Sequence, residues 1–282
     1  MTKLLPKAFF LTLLLCSCTS EGIKVDTAES ESHYNLGLEF AKMSLYKNSL
    51  EEFELALKHD PNNQKARRKK GLVHFGLKQY DVAKTSFDNI LSVEPDNVQV
   101  HINLGMVFYA QGKSDNARKQ WERAIRIHET DNDSKAFNNI ANLYKIEKNY
   151  AQAIENYQQA LLQEPGNSTY LNNLGDSFRL QGNLIKAEEI FNKSLAANPK
   201  GMLTHFNLGM LYQGQKKHDK AITAFKNSLI VNPYYTEAHY QIALTHFLKK
   251  DRTLALQSLE LALKAEPANP KYRELFAKVE SS

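Results

Sequence analysis

Cysteine is absent from residue 19 to the end of this 282-residue chain; Cys16 and Cys18 sit together near its start. Disulfide frameworks, thiolate metal sites and a cysteine nucleophile are therefore excluded from the remainder. Long apolar runs are missing too, since none approaches the roughly 20 residues that a membrane-spanning helix needs. Charge of one sign is scarce. The formal net charge is only +5, whereas a dedicated nucleic-acid binder carries a strongly basic face. No GxSxG, HExxH, Walker or dinucleotide-binding glycine pattern occurs. These absences lead us to expect a binding protein rather than an enzyme, with no metal, no cofactor and no nucleic-acid partner. The composition present, 24% charged and 42% hydrophobic, is that of a folded chain.

Residues 1–7 include Lys3 and Lys7, and residues 8–15 are apolar apart from Thr12. A short basic start followed by about eight apolar residues has the layout of an export signal. The segment Leu15-Cys16-Ser17-Cys18 resembles the bacterial lipobox, in which a Leu and then a small residue precede an invariant Cys. That resemblance implies a signal peptide over 1–17 and lipidation of Cys18. An ordinary cleaved signal with an incidental cysteine is the alternative. Thr19, rather than Asp, follows Cys18, which implies a lipid-anchored protein of the outer membrane facing the periplasm. Loss of 1–17 would lower the net charge from +5 to +3. Residues 18–29 are expected to form the lipidated Cys and a flexible tether, because residues 19–32 have no aromatic and little apolar content.

The body has a period. Prolines recur at 61, 95, 165, 199, 233 and 267, with gaps of 34 and one of 70. A fixed period of this length signals stacked supersecondary units. Aligned on the prolines, seven repeats cover 30–63, 64–97, 98–133, 134–167, 168–201, 202–235 and 236–269. The eighth position is always small (Gly37, Gly71, Gly105, Ala141, Gly175, Gly209, Ala243), as is the twentieth. The twenty-fourth is large: Phe53, Phe87, Trp121, Tyr157, Phe191, Phe225 and Leu259. Small residues let helices approach, and large ones fill the space between them. These columns resemble the tetratricopeptide-repeat (TPR) family in every repeat. The resemblance implies an all-α fold: a right-handed TPR superhelical solenoid of seven helix-turn-helix repeats plus a C-terminal capping helix over 270–282. Tyr272, Leu275, Phe276 and Val279 give that last helix one apolar stripe. The third repeat lacks the proline and has two extra residues, so 128–133 is expected to be a longer turn.

In TPR superhelices the first helix of each repeat lines a concave groove. Carried over by position, the sixth column reads Asn35, Lys69, Asn103, Asn139, Asn173, Asn207 and Gln241. A carboxamide offers donors and acceptors, so such a ladder can pair with peptide backbone of any sequence. It resembles the asparagine ladder of the sugar transferases that modify Ser and Thr. The expected peptide-binding groove comprises Asn103, Asn139, Asn142, Asn173, Asn207, Met106, Tyr109, Lys145, Arg179 and Phe206. Packing between repeats is the alternative role for these side chains. A basic patch on the second repeat, Lys65, Arg68 and Lys69, is the rival site, for an acidic segment or anionic lipid. Lys70 stands in that repeat where every other repeat has Leu or Ile. His33, His101, His205 and His239 share the fourth column; at about 10 Å per repeat they are too far apart for one ion, and we expect them to fill space.

A lipobox followed by such repeats resembles the pilotins of type IV pili, the PilF, PilW and Tgl type, which help a secretin ring assemble in the outer membrane. The resemblance implies an envelope scaffold with a protein partner such as the secretin. An adaptor for peptidoglycan enzymes, or a general regulatory or chaperone-type TPR protein, are the other readings.

Overall fold

The computed structural model describes residues 25–127 and 133–281. The expected signal peptide, Cys18 and most of the long turn, residues 128–132, lie outside the described residues. All regular structure among the described residues is α-helical, in two compact units that divide between Lys78 and Gln79.

The first unit contains α1 (Thr27–Lys42), α2 (Tyr46–His59) and α3 (Gln64–Gly76). Helix α1 begins ahead of the expected boundary at Ser30, so residues 27–29 belong to a helix rather than to the tether. The Asp26 carboxylate supplies the reason, accepting the Glu29 N–H at 3.1 Å as an N-cap, an arrangement worth about 1 kcal/mol. Ser30 is then buried, donating to Ala56 O at 2.9 Å and accepting from Asn63 Nδ2 at 2.9 Å.

The second unit contains α4 (Tyr80–Leu91), α5 (Val98–Ala110), α6 (Ser114–Arg126), α7 (Ser134–Ile146), α8 (Tyr150–Gln163) and α9 (Ser168–Gln181). It continues with α10 (Leu184–Ala197), α11 (Met202–Gly214), α12 (His218–Val231), α13 (Thr236–Leu248), α14 (Arg252–Ala265) and α15 (Pro270–Glu280). One of the expected repeats lies wholly in the first unit and five in the second, and each is a packed pair: α1 on α2, then α5 on α6, α7 on α8, α9 on α10, α11 on α12 and α13 on α14.

The eighth and twenty-fourth columns meet inside these pairs. A Cβ added to Gly37 would lie 2.7 Å from the Phe53 ring, and one on Gly175 would lie 2.7 Å from the Phe191 ring. Both rings are fully buried, so only a minimal residue fits opposite them.

Prolines set the turns between repeats. The helices before Pro61, Pro165, Pro199, Pro233 and Pro267 each stop two residues earlier. Asp60, Asn198 and Asn232 are extended, as steric conflict with a following proline ring requires. Asn63, Asn97, Asn167 and Asn269, each two residues past a proline, accept backbone N–H groups as N-caps of the next helix. The fourth-column side chain then reaches back six residues: the Nε2 atoms of His101, His205 and His239 donate to Pro95 O, Pro199 O and Pro233 O at 2.9, 3.0 and 3.0 Å. Arg67 does the same to Pro61 O and Arg273 to Pro267 O, both at 2.7 Å. The fourth column therefore does more than fill space: at the turns of Pro61, Pro95, Pro199, Pro233 and Pro267 it ties the turn to the helix that follows, whereas Leu171 after Pro165 cannot. His33 differs, with Nδ1 2.6 Å from Glu52 and its ring stacked on His59.

The turn inside each repeat also recurs. Ser44, Lys78, Gly112, Lys148, Gly182, Lys216 and Lys250 all have positive φ between 59° and 92°. This is the fifteenth column of every repeat, yet only two of its members are glycine, the residue that adopts this conformation without strain.

Side chains hold the start of the fourth repeat. Ser134 N donates to Gln163 Oε1 at 2.8 Å and Ser134 Oγ to Glu164 Oε1 at 2.5 Å, fastening the start of α7 to the end of α8. At the far end, α15 buries Tyr272, Leu275 and Val279 against Tyr240 and Leu259, with Phe276 partly buried alongside. The cap forms on the expected stripe.

Candidate peptide-binding groove

Helix α9 lies against both α7 and α11, which brings the asparagines of three repeats side by side. Asn207 Nδ2 donates to Asn172 Oδ1 at 3.0 Å, and Asn173 Nδ2 donates to Asn138 Oδ1 at 3.3 Å. Within each helix, Asn172 Nδ2 approaches Asn173 Oδ1 at 3.5 Å and Asn138 Nδ2 approaches Asn139 Oδ1 at 3.4 Å. The expected ladder of isolated sixth-column amides is thus a continuous relay that zigzags between the fifth and sixth columns, from Asn207 to Asn139. It stops there because the fifth column of the preceding repeat is Ile102, buried and without an acceptor.

Asn138, Asn172 and Asn173 each donate once and accept once within the relay. A carboxamide has two N–H donors and two lone pairs, so each retains one of both kinds; Asn138 and Asn173 are half-buried and can present theirs, whereas Asn172 is only 7% exposed. A row of such groups matches the alternating carbonyl and N–H of an extended peptide. A cavity of about 220 Å³ lined in part by Asn172, Asn173, Lys200 and Leu203 adjoins it.

The other expected groove residues divide. Asn103 is only 4% exposed; its Oδ1 accepts from Gln99 Nε2 at 3.3 Å, and its Nδ2 is buried without a partner. It does not offer an open face to a ligand. Asn142 accepts the Tyr157 hydroxyl at 2.5 Å, which leaves its Nδ2 as the end available to a ligand. Phe206 packs on Phe225 and Tyr235 with ring centroids at 5.4 and 5.1 Å, and so is a packing residue more than a groove contact. Tyr109 is 42% exposed and tilts against Trp121, while Met106 is half-buried. These two keep apolar surface available.

Lys145 and Arg179 meet on one carboxylate, which the columns did not reveal. Arg179 donates to Asp176 Oδ1 from Nη2 at 2.6 Å and Nε at 3.1 Å, and Lys145 Nζ lies 3.3 Å from Oδ2. Two cations to one carboxylate leave this half-buried cluster positive. Burial, reinforced by the Asp176 charge, pushes the Tyr157 phenol well above the ordinary tyrosine value near 10.

On the rival surface, Lys65 is exposed and Arg68 and Lys69 are half-buried. Lys70, in its apolar column, turns to Glu54 Oε1 at 3.0 Å, its stem covering apolar surface while the charge reaches a partner. Its neighbour Lys69 lines a cavity of the first unit.

Family models described as tetratricopeptide repeat match residues 30–63, 96–162, 132–200 and 206–270. Anaphase-promoting complex subunit 3 of Schizosaccharomyces pombe is 26% identical over half of this chain, which spans only 21% of that protein's length. The APC/C hetero-tetramer Cut9–Hcn1 contains a similar chain, at TM-score 0.70 and 20% identity, covering 89% of this chain and 46% of that one. PilF of Pseudomonas aeruginosa is similar at TM-score 0.65 and 19% identity, over 76% of this chain and 97% of that one. At such identities the structural likenesses concern the fold.

Proposed function

The chain belongs to the tetratricopeptide-repeat family and is a protein-interaction scaffold, and we propose that it is an outer-membrane lipoprotein that holds a partner during assembly of a type IV pilus secretin. The amide relay from Asn207 to Asn139 carries the binding half of this reading. Its spare donors and acceptors suit an extended segment of the partner, with Met106 and Tyr109 discriminating side chains beside it. The match to nearly the whole of PilF supports the pilus assignment. The Leu15-Cys16-Ser17-Cys18 segment supports the anchor, with Cys18 carrying the lipid and the body facing the periplasm.

The test is co-purification from detergent-solubilised envelopes, followed by mass spectrometry. The wild type should recover a secretin. The folded triple variant Asn138→Ala, Asn173→Ala, Asn207→Ala should recover at least tenfold less, a change of about 1.4 kcal/mol. Recovery of peptidoglycan hydrolases or synthases in place of a secretin would reject the pilus assignment and leave the groove intact. Loss of recovery on changing Lys65, Arg68 and Lys69 to Ala, with the asparagine variant behaving as wild type, would reject the groove. Radiolabelled palmitate should enter the wild type and the Cys16→Ala variant but not Cys18→Ala.

A further inference from the structure

The first unit contains a cavity of about 480 Å³, within the range of about 300–1,000 Å³ typical of binding pockets. Leu38 from α1, Phe53 from α2, and Leu72 and Val73 from α3 give it apolar walls. Its charged lining is Lys42 and Lys69, with no acid, and Tyr46 adds a hydroxyl. Helix α3 surrounds Lys69 with Lys65, Arg67, Arg68 and Lys70 and contains no acidic residue. Lys70 is already paired with Glu54. Lys42 pairs with Glu39 at 2.6 Å, both side chains being more than half exposed, and an ion pair so exposed exchanges readily with solvent or another carboxylate.

From these observations we propose that the cavity is a second docking site, for an apolar side chain of a partner protein whose neighbouring residues are acidic. The walls select the apolar residue by burial, and Lys42 together with the basic face of α3 selects the flanking carboxylates. Each lysine brings three donors, which suits a peptide, whose acceptors are spread along its length. A fatty acyl chain carries its acceptor at one end only. The site involves none of the relay asparagines, so it stands or falls independently of the groove.

Gly76 also lines the cavity, and a Cβ placed on it would meet nothing within 4 Å. The variant Gly76→Phe therefore plugs the cavity without a clash at the backbone, and Gly76→Ala serves as its control. The probe is a fluorescein-labelled synthetic peptide, Glu-Asp-Leu-Phe-Glu-Asp, followed by fluorescence anisotropy with the full chain. Wild type and Gly76→Ala should bind it saturably and within twofold of each other, and Gly76→Phe at least tenfold more weakly. Peptides with Ser-Ser for Leu-Phe, or with Lys-Arg for both Glu-Asp pairs, should bind at least tenfold more weakly to the wild type. If circular dichroism shows Gly76→Phe unfolded, Lys42→Glu replaces it. That variant should weaken the acidic peptide and improve the basic one. Absence of peptide binding to the wild type, or binding indifferent to both variants, overturns the proposal. So does the opposite pattern, in which phosphatidylglycerol vesicles bind in a manner lost in Gly76→Phe while the peptide stays inert.

Discussion

Tyr157 donates its phenolic hydrogen to Asn142 Oδ1 across 2.5 Å, linking a fully buried core ring to helix α7. The twenty-fourth column is otherwise Phe, Trp or Leu, so no other repeat has a hydroxyl at this position. A hydroxyl hydrogen can point only at the carboxamide oxygen, so the Asn142 N–H₂ must face elsewhere. The groove of the fourth repeat therefore offers a donor, beside a cluster of Lys145, Arg179 and Asp176 that is positive on balance.

Replacing Tyr157 by Phe should cost about 0.5–1.5 kcal/mol in urea unfolding, the usual net value of one hydrogen bond. It should also change the alkaline limb of the stability curve. The buried phenol ionises at higher pH in the folded than in the unfolded chain. Its favourable contribution is thus complete below the ordinary tyrosine value near 10 and declines as pH rises from there toward the folded value. Tyr157→Phe should lose stability less steeply above pH 10 than the wild type; equal slopes would show that the phenol is not the group responsible.

Gly175→Leu should destabilise the second unit by about 1–3 kcal/mol, the usual cost of forcing bulk into a packed interior. The ring of Phe191 occupies the space that the new side chain needs. In an array of neighbouring repeats the lesion weakens the adjoining pairs most, so hydrogen exchange should quicken in α9 and α10 before α14 and α15. A melting curve identical to wild type would contradict this packing.

Lys216→Gly should stabilise the protein by up to about 1 kcal/mol. Lys216 has φ 59°, and a left-handed backbone costs an L-residue about 1–2 kcal/mol. Part of that gain is offset by the greater freedom of glycine in the unfolded chain. The control is Gly182→Lys, at φ 92° in the same column, which should lower the melting temperature.

His205→Phe keeps an aromatic ring in the fourth column but removes the bond to Pro199 O. If that bond ties the turn, the variant should lose about 0.5–1.5 kcal/mol in denaturant unfolding. Wild-type stability would return the column to simple space filling.

Much of the fold was legible because its determinants repeat. The Gly175–Phe191 and Gly37–Phe53 oppositions are contacts made within one 34-residue unit, and every unit repeats the same demand for small against large. The apolar stripe of α15 was equally plain. The fifteenth column was harder to read, since Lys148, Lys216 and Lys250 do not advertise a left-handed turn as Gly112 and Gly182 do. The start of α1 was misplaced because its capping interaction comes from Asp26, in a stretch whose composition suggests a tether.

The candidate site was legible only in its residue types. The expected groove residues come from several columns of the first helix, but a column does not say which side chains remain open. Asn103 and Asn173 occupy the same column, and one is buried while the other belongs to the relay. Phe206 was expected beside a ligand, and the column did not show that its half-buried ring packs on Phe225 and Tyr235.

By itself the sequence determined the repeat length, the pairing of helices and the face that each pair buries, because these depend on steric contacts between residues about sixteen apart in one unit. The tertiary structure alone decided the hydrogen-bonding pattern of the groove. Asn207 and Asn172, like Asn173 and Asn138, are 35 residues apart, and their amides meet only because α9 lies against both α7 and α11. Whether a carboxamide faces solvent, a neighbour or the core follows from ångström-scale helix placement, and residue identity carries no record of that distance.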